Sequence, residues 1–270
     1  MDVTTIILSA VLVGVVGLLI GLLLCLAGKK FAVEENETEA AVRAALPGNN
    51  CGGCGYAGCD GLAKAIAEGT APVNACPVGG AAVADEIARI MGVEAEKGEQ
   101  KVAFVACAGD CTVTRVKYEY YGKADCKAAA VAPGGGDKLC AYGCLGLGSC
   151  VKACPFDAIH VVQGVAVVDE DKCRACGKCV AACPKHLISL VPKDAPVRVR
   201  CSSHDMARTV MAACDLGCRG CTLCTRVCPN GAAKMDNGLA VIDYSLCTGC
   251  GACVEKCPAH SIQRKAAQES

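Results

Sequence analysis

Aromatic residues are scarce in this 270-residue sequence, which has no tryptophan, three phenylalanines and six tyrosines. A core of that size normally relies on aromatic and aliphatic bulk, so something other than aromatic packing must organise the fold. An excess of one charge is also lacking, since 27 basic residues balance 27 acidic ones. No basic block is interleaved with aromatic residues, which argues against nucleic acid as a partner.

Motifs of several catalytic classes are missing as well. The sequence has four histidines: His160, His186, His204 and His260. They form neither an HExxH motif nor a facial triad with a carboxylate, so none is assigned as a ligand. The GGG at 134–136 lacks the strand and helix context of a phosphate-binding loop. We therefore predict no catalytic residue and no flavin, nicotinamide or nucleotide site on this chain.

Charged residues are absent from Val3 to Gly28. A helix of about 20 apolar residues spans a bilayer, so we predict a transmembrane anchor over residues 1–28 that meets the lipid bilayer at 3–28. No basic residue precedes the run, whereas Lys29 and Lys30 follow it. This pattern favours an anchor over a cleaved leader and puts the C-terminal side in the cytoplasm. We expect a single-pass protein of the inner (cytoplasmic) membrane.

Cysteine is abundant, with 26 residues. So many cysteines indicate either a disulfide scaffold or metal binding, and a reducing cytoplasm favours metal. The run C-x₂-C-x₂-C-x₃-C-P is typical of paired [4Fe-4S] clusters, in which the fourth cysteine binds the other cluster. It occurs three times, at 173–184, 218–229 and 247–258. A zinc-binding protein is the alternative, although zinc usually takes its ligands in pairs from separate segments.

The exchange of fourth ligands predicts five clusters. Site 1 is a lone cluster of Cys51, Cys54, Cys59 and Cys76, for which zinc is the alternative; site 2 is Cys140, Cys144, Cys150 and Cys183; site 3 is Cys173, Cys176, Cys179 and Cys154; site 4 is Cys218, Cys221, Cys224 and Cys257; site 5 is Cys247, Cys250, Cys253 and Cys228. Site 2 departs from the pattern because CAYGCLGLGSC spaces its cysteines more widely.

Six cysteines fall outside these sets: Cys25, Cys107, Cys111, Cys126, Cys201 and Cys214. Cys25 lies in the predicted anchor and serves as a small apolar residue. For the others we predict a sixth cluster, site 6, held by Cys107, Cys126, Cys201 and Cys214, with Cys111 left out. Buried, inert thiols are the alternative.

The predicted fold is α+β, with an N-terminal transmembrane helix, a small helical iron–sulfur module and two bacterial 2[4Fe-4S] ferredoxin-like modules. The predicted order is an anchor (1–28), a stalk (29–48), the single-cluster module (49–92), a strand-rich link (93–139), the first ferredoxin-like pair (140–192), a strand-rich insert (193–213), the second pair (214–265) and a tail (266–270). Helices are expected at 38–46, 61–68 and 81–91, strands at 102–107 and 113–121, and hairpins at 164–173 and 238–247.

These motifs together resemble the B subunit of the Rnf ion-translocating electron transport complex, in the long form of anaerobic bacteria. PGNNCGGCGYAGCDGLA at 47–63 carries the resemblance most specifically, and CAYGCLGLGSCVKACPFDAI at 140–159 adds to it. The resemblance implies an electron conduit that accepts electrons from reduced ferredoxin. It would act within a ferredoxin:NAD oxidoreductase coupled to Na⁺ or H⁺ translocation, whose other membrane and soluble subunits would carry NAD and flavin.

Two other interpretations of the sequence are open. A polyferredoxin-like subunit of a hydrogenase or dehydrogenase complex would share the ferredoxin runs, and only the 47–77 segment and the anchor argue against it. An iron–sulfur enzyme would need an incomplete run beside acid–base residues. We also predict that ferredoxin docks on the basic segment from Lys193 to Lys234, through Arg198, Arg200 and Arg208, because a basic surface steers acidic partners.

Overall fold

The structure, a computed structural model, describes residues 3–30, 36–95 and 99–265. The predicted tail at 266–270 and residues 31–35 of the predicted stalk lie outside the described residues. Helix α1 (Val3–Lys30) covers the uncharged run, and its apolar side chains from Val11 to Leu26 are exposed. Judged by the residues that the structure describes, no helix is both long enough and apolar enough to cross a membrane.

Three helices form the small N-terminal module: α2 (Glu37–Ala45), α3 (Cys59–Ala67) and α4 (Gly80–Met91). They confirm the predicted helices, with boundaries moved by one or two residues. The cap of α2 is Asn36, whose side chain accepts the Thr38 N–H at 3.0 Å. Val42, Leu62 and Ile87 fill the core of the module and fix α3, which begins at a predicted ligand.

Strands in the described part of the chain form four antiparallel pairs. These are β1 (Lys101–Val105) with β4 (Ile188–Pro192), β2 (Ile159–Val162) with β3 (Val165–Val168), β5 (Val197–Val199) with β8 (Ile262–Arg264), and β6 (Ala233–Asp236) with β7 (Leu239–Ile242). The hairpins β2–β3 and β6–β7 lie five residues before the predicted ranges 164–173 and 238–247, so only their second strands, β3 and β7, fall inside those ranges. Each ferredoxin-like module therefore begins before its predicted range, with β1 in the predicted link and β5 in the predicted insert. Each has one sheet that joins this first strand to its last, with one hairpin in between.

Short helices connect these strands: α5 (Cys126–Val131), α6 (Ser149–Ala153), α7 (Lys178–Ala182), α8 (Ala207–Ala213), α9 (Leu223–Val227) and α10 (Ala252–Glu255). Four of them, α6, α7, α9 and α10, each carry the third cysteine of a run, which is buried in every case. The cores of both modules consist of these cysteines and small aliphatic residues, so cysteine takes the place that aromatic side chains hold in most cores.

Two predictions of local structure are wrong. The segment 113–121 is not a strand, because it makes only isolated bridges, from Thr114 to Cys214 and from Val116 to Lys138. Its alternation of apolar and polar residues suits a strand, but no neighbouring strand pairs with it. The insert at 193–213 is also not strand-rich, since it holds the three-residue β5 and helix α8. The strand predicted at 102–107 is confirmed as β1.

Backbone hydrogen bonds join the two ferredoxin-like modules directly. The Ala108 N–H donates to the Arg200 carbonyl at 3.0 Å, and the Arg115 N–H donates to the Ala213 carbonyl at 2.9 Å. The Ser202 hydroxyl donates to the Ala106 carbonyl at 2.8 Å. Loops that carry several unassigned cysteines are therefore held against each other at this junction.

A buried charge network lies at the same junction. The Arg198 guanidinium on β5 pairs with Glu170 of the first module, and Lys265 lies 3.1 Å from the other oxygen of Glu170. Arg198 also lies 5.4 Å from the centre of the Phe104 ring on β1. Arg198 is thus an internal residue that connects the modules.

Candidate metal centres

The cysteines predicted for sites 4 and 5 line two separate cavities. Cys218, Cys221, Cys224 and Cys257 surround one of about 330 Å³, whereas Cys228, Cys247, Cys250 and Cys253 surround one of about 300 Å³. The structure therefore brings together each predicted set, including the fourth cysteine from the opposite run. Cys221 and Cys250 are exposed, so both sites come close to the protein surface.

All four predicted members of site 3 lie near one another, as do Cys54, Cys59 and Cys76 of site 1. The Cys179 thiol feels the electrostatic influence of Cys173, Cys176 and Cys154, and the Cys76 thiol feels that of Cys59 and Cys54. Site 1 adjoins site 3, because Cys51 influences Cys176 and a Cβ on Gly53 would lie 2.9 Å from the Cys176 carbonyl oxygen. The single-cluster module is therefore in direct contact with the first ferredoxin-like module.

One backbone conformation recurs in all four runs and fixes how they align. The second residue after the first cysteine is left-handed at Gly146 (φ 69°), Ala175 (φ 50°), Gly220 (φ 63°) and Gly249 (φ 75°). The fourth residue is left-handed too and begins the short helix, at Gly148 (φ 74°), Gly177 (φ 75°), Thr222 (φ 60°) and Gly251 (φ 80°). This pattern makes Cys144, and not Cys140, the first cysteine of the first run.

The prediction for site 2 needs a correction as a result. Counting from Cys144, the position of the second ligand is occupied by Leu147, which is packed among apolar neighbours. The structure fills that place with Cys126, since one cavity of about 350 Å³ is lined by Cys126, Cys144, Cys150 and Cys183. Cys140 does not line that cavity and lies elsewhere.

A capped turn brings Cys126 to this cavity. Cys126 is the first residue of α5, and Asp125 caps the helix by accepting the Ala128 N–H at 2.9 Å. The Ser149 hydroxyl accepts the Cys126 N–H at 2.8 Å and donates to Asp125 at 3.2 Å. Since Ser149 precedes Cys150, these bonds tie the start of α5 to the start of α6.

The prediction for site 6 changes in the reciprocal way. A fourth cavity, of about 490 Å³, is lined by Cys107, Cys140, Cys201 and Cys214. Cys126, predicted here, is replaced by Cys140, because the wide spacing of CAYGCLGLGSC spreads its cysteines over two cavities instead of one. Cys111 is exposed and lines neither cavity.

Backbone N–H groups point at the fourth cysteines. Ala158 donates to Cys154 Sγ at 3.4 Å, Leu187 to Cys183 Sγ at 3.5 Å and Ala233 to Cys228 Sγ at 3.4 Å. A left-handed residue three positions after each fourth cysteine turns the chain for this contact; these are Asp157, His186, Gly231 and His260. Such hydrogen bonds stabilise thiolate ligands and set the potential of a bound cluster.

Burial acts against the charged form of the same cysteines. It raises the pKa of the Cys150 thiol to about 12 and those of Cys179 and Cys224 to about 11. Metal ligation requires thiolates, so loading these sites must release protons, and the positive charge of the metal must offset the cost of burying anions. Among the described residues, no three His, Cys, Asp or Glu side chains are grouped as ligands of a single metal ion.

The predicted docking residues do not form one exposed surface. Arg198 is buried and paired, and Arg200 donates to the Cys107 carbonyl at 3.2 Å. Arg208 on α8 and Arg226 on α9 are exposed, and Arg219 borders the cavity of site 4. Lys234 is paired with Asp243 at 2.8 Å, and Lys193 is paired with Asp171. Arg198 is therefore internal, and the half-buried Arg200 is engaged by the Cys107 carbonyl, so the structure does not support these two residues as a docking surface.

Protein-family models match the same segments. A family described as "Putative Fe-S cluster" covers residues 46–78. Families described as 4Fe-4S dicluster domains cover 137–199, 172–232 and 217–262. The cysteines of sites 4 and 5 fall within the last of these ranges. The fold is thus mixed α+β with several ferredoxin-like 4Fe-4S domains.

Curated relatives extend the similarity to nearly the whole chain. The B subunit of the Na⁺-translocating ferredoxin:NAD⁺ oxidoreductase complex of Acetobacterium woodii is 46% identical, over 94% of this chain and 78% of its own length. The B subunit of the ion-translocating oxidoreductase complex of Methanosarcina acetivorans is 44% identical, over 94% and 96%. The chain belongs to this family of B subunits. A proton-translocating relative from Clostridium ljungdahlii is 43% identical, over 96% and 92%.

Members of this B-subunit family differ in how much of the chain they match. The relative from Cereibacter sphaeroides is 38% identical over 151 residues, 56% of this chain. The long relatives are matched across both ferredoxin-like modules.

The partner of Cys144, Cys150 and Cys183 was missed from the sequence because Cys126 lies outside the run. Leu147, which occupies the position of the second ligand, was the signal that a ligand had to come from elsewhere.

Proposed function

We propose that this chain is the electron-transfer B subunit of an ion-translocating ferredoxin:NAD oxidoreductase, and that it relays electrons from reduced ferredoxin to the other subunits. The observation that carries the proposal is the succession of four-cysteine sites in contact with one another. When bound, a [4Fe-4S] cluster supplies one-electron transfer at a potential of about −700 to +450 mV, set by its surroundings. The cysteines, their N–H donors and the burial of each site are this chain's contribution.

The order of the sites follows from contacts between their residues. Site 1 lies against site 3 through Gly53 and Cys176. Site 3 and site 2 are joined because Cys154 and Cys183 are exchanged between their runs, and Cys228 and Cys257 join site 4 to site 5 in the same way. These contacts give two groups of sites, one of three and one of two.

The uncharged run at 3–28 supports a membrane anchor in this proposal. The sequence of this run carries no charged residue and is followed by Lys29 and Lys30, the pattern of a segment whose C-terminal side faces the cytoplasm. The iron–sulfur domains would then face the cytoplasm, where reduced ferredoxin is found. The test is membrane fractionation of cells that produce the full chain or a chain from residue 29. We expect the full chain to resist a carbonate wash and the shortened chain to be soluble; equal solubility would contradict the anchor.

Ferredoxin docking is best assigned to the surface near site 4. Cys221 is exposed there, and Arg219 and Arg226 add positive charge beside it, with Arg208 exposed on α8. Complementary charge accelerates encounter and makes the rate depend on salt. We expect Arg219→Glu combined with Arg226→Glu to slow reduction by ferredoxin and to weaken its salt dependence. Lys64→Glu combined with Arg89→Glu, an equal charge change at exposed positions on α3 and α4, is the control, and equal rates in all three proteins would contradict the assignment.

The decisive experiment is stopped-flow reduction of the oxygen-free, cluster-loaded chain. We expect reduced ferredoxin to bleach the iron–sulfur absorbance rapidly, and we expect NADH alone to leave it unchanged, because NAD chemistry would belong to other subunits. Rapid reduction by NADH without other subunits would contradict the proposal. A subunit of a hydrogenase complex would instead exchange electrons with the hydrogenase. Its reduction would then not be coupled to ferredoxin:NAD oxidoreductase activity.

A further inference from the structure

A near-symmetric arrangement of four cysteines lies at the junction of the two ferredoxin-like modules. Cys107 comes two residues after the end of β1, and Cys201 comes two residues after the end of β5. Cys140 precedes Cys144, the first cysteine of its run, by four residues, and Cys214 precedes Cys218 by four. Each module thus supplies two cysteines from equivalent positions, and neither module contains the full set.

Hydrogen bonds at these cysteines repeat the same symmetry. Cys107 Sγ accepts the N–H of Gly109 at 3.4 Å and that of Cys144 at 3.5 Å. Cys201 Sγ accepts the N–H of Ser203 at 3.5 Å and that of Cys218 at 3.3 Å. Two N–H donors to one sulfur suit a thiolate ligand far better than a neutral thiol, because thiols are weak acceptors.

The four sulfurs enclose one space. A Cβ on Gly109 would lie 3.5 Å from both Cys107 Sγ and Cys214 Sγ, and the Thr114 hydroxyl lies 3.9 Å from Cys214 Sγ. Cys140 lines the same cavity as Cys107, Cys201 and Cys214. The cavity of about 490 Å³ is no smaller than those of about 330 and 300 Å³ at sites 4 and 5, which lie in a 4Fe-4S dicluster domain.

We propose that Cys107, Cys140, Cys201 and Cys214 bind a [4Fe-4S] cluster at this junction. Two ligands come from each ferredoxin-like module, so the cluster also joins the modules covalently through iron. Cys107 lies outside every range that a family model matches, so none of the matches contains the full set. The binding proposal stands on the four cysteines and their donors alone.

The position of the site suggests its role, which rests on the proposed function. Cys107 accepts a hydrogen bond from Cys144 of site 2, and Cys201 accepts one from Cys218 of site 4. The junction site therefore lies between the two groups of sites. With it, all six sites follow one path in the order 1, 3, 2, junction, 4, 5.

Iron and zinc counts on oxygen-free protein test the binding. At four iron per cluster we expect about 24 iron per chain in the wild type and about 20 in Cys201→Ala. Cys111→Ala, which changes an exposed cysteine outside every cavity, should keep about 24. Cys214→Ala repeats the test from the other side of the junction if Cys201→Ala does not accumulate. About 20 iron in the wild type, unchanged in Cys201→Ala, would overturn the junction site and leave the other five, whereas little iron in any of the proteins would overturn the proposed function as well.

Double variants test which cysteines share a site. The structure places Cys140 with Cys201, so Cys140→Ala combined with Cys201→Ala should lose about four iron, and Cys126→Ala combined with Cys201→Ala should lose about eight. The assignment made from spacing alone puts Cys126 and Cys201 in one site. It therefore predicts a loss of about eight iron for the Cys140 and Cys201 pair and of about four for the Cys126 and Cys201 pair. Zinc in the wild type that disappears in Cys201→Ala would show a zinc site and overturn the cluster.

Discussion

Removing Glu170 tests how the two ferredoxin-like modules are held together. The side chain of Arg198 is 7% exposed and that of Glu170 is 18% exposed, so this ion pair is largely shielded from water. Within the described residues, the buried Arg198 Nε has no hydrogen-bond partner. Changing Glu170→Leu would leave a buried guanidinium without its counter-charge.

The cost of that change can be bounded from the contacts that survive it. Breaking a buried ion pair by removing one partner costs about 3–5 kcal/mol. Arg198 would retain bonds from Nη2 to the carbonyls of Pro192 at 3.3 Å and Lys193 at 3.2 Å, and its position by the Phe104 ring. We therefore expect the low end, about 3 kcal/mol, which at a urea m-value of about 3 kcal/mol/M lowers the midpoint by about 1 M.

Urea unfolding of the cluster-loaded chain without oxygen, followed by circular dichroism, measures this shift. Asp215→Leu is the matched control, because it breaks the exposed Arg115–Asp215 pair at the same junction and should cost less than about 1 kcal/mol. Replacing both partners, with Glu170→Leu and Arg198→Met, should recover most of the loss. Equal midpoints for Glu170→Leu and Asp215→Leu, or a double variant no better than Glu170→Leu, would refute the reasoning.

Three further changes probe the sites. Gly53→Ala should push the single-cluster module away from Cys176, since the new Cβ would lie 2.9 Å from its carbonyl oxygen, and slower electron exchange between the modules in freeze-quench spectroscopy would reveal it. Lys138→Met removes a buried ammonium that donates to the Gly109 carbonyl at 2.6 Å. Because a nearby positive charge favours the reduced cluster, redox titration should show the potential of a neighbouring site lowered by an amount on the order of tens of millivolts. The exposed Lys152→Met should leave that potential unchanged. Asp125→Ala removes the cap of α5, which should destabilise the helix by about 1 kcal/mol and speed the loss of iron from site 2 to a chelator relative to site 4. Equal rates of iron loss from the two sites would contradict the role of the cap.

Spacing in the sequence was enough to group most of the cysteines. The runs at 173–184, 218–229 and 247–258 carry their cysteines at fixed intervals. Four of the six left-handed residues at the aligned positions are glycines, which the sequence shows directly: Gly177, Gly220, Gly249 and Gly251. The second strand of each hairpin was visible as well, because VAVV and LAVI each directly follow a glycine, at Gly164 and Gly238. Local chemistry determines these features, and a local pattern therefore predicts them.

Cys126 and Cys140 were misplaced because their positions depend on contacts between distant segments. Cys126 reaches site 2 only through the tether from Asp125 and Ser149, and nothing in the spacing of the run indicates it. The buried state of Arg198 was missed for a similar reason, since its partner Glu170 lies in the other module. Arg198 lies in a segment whose sequence resembles an exposed one, and it acquires its partner only when the two modules pack together.

The division of ligands between the modules also determines when each site can be completed during synthesis. Site 1 has all its cysteines once Cys76 has left the ribosome, and sites 2 and 3 are complete after Cys183. The junction needs Cys214, more than one hundred residues after Cys107, so it is the last of the first four sites to be assembled. We expect a nascent chain stopped before Cys214 to acquire its early clusters while Cys107 and Cys140 stay as open thiols, which makes the junction a checkpoint for correct pairing of the two modules.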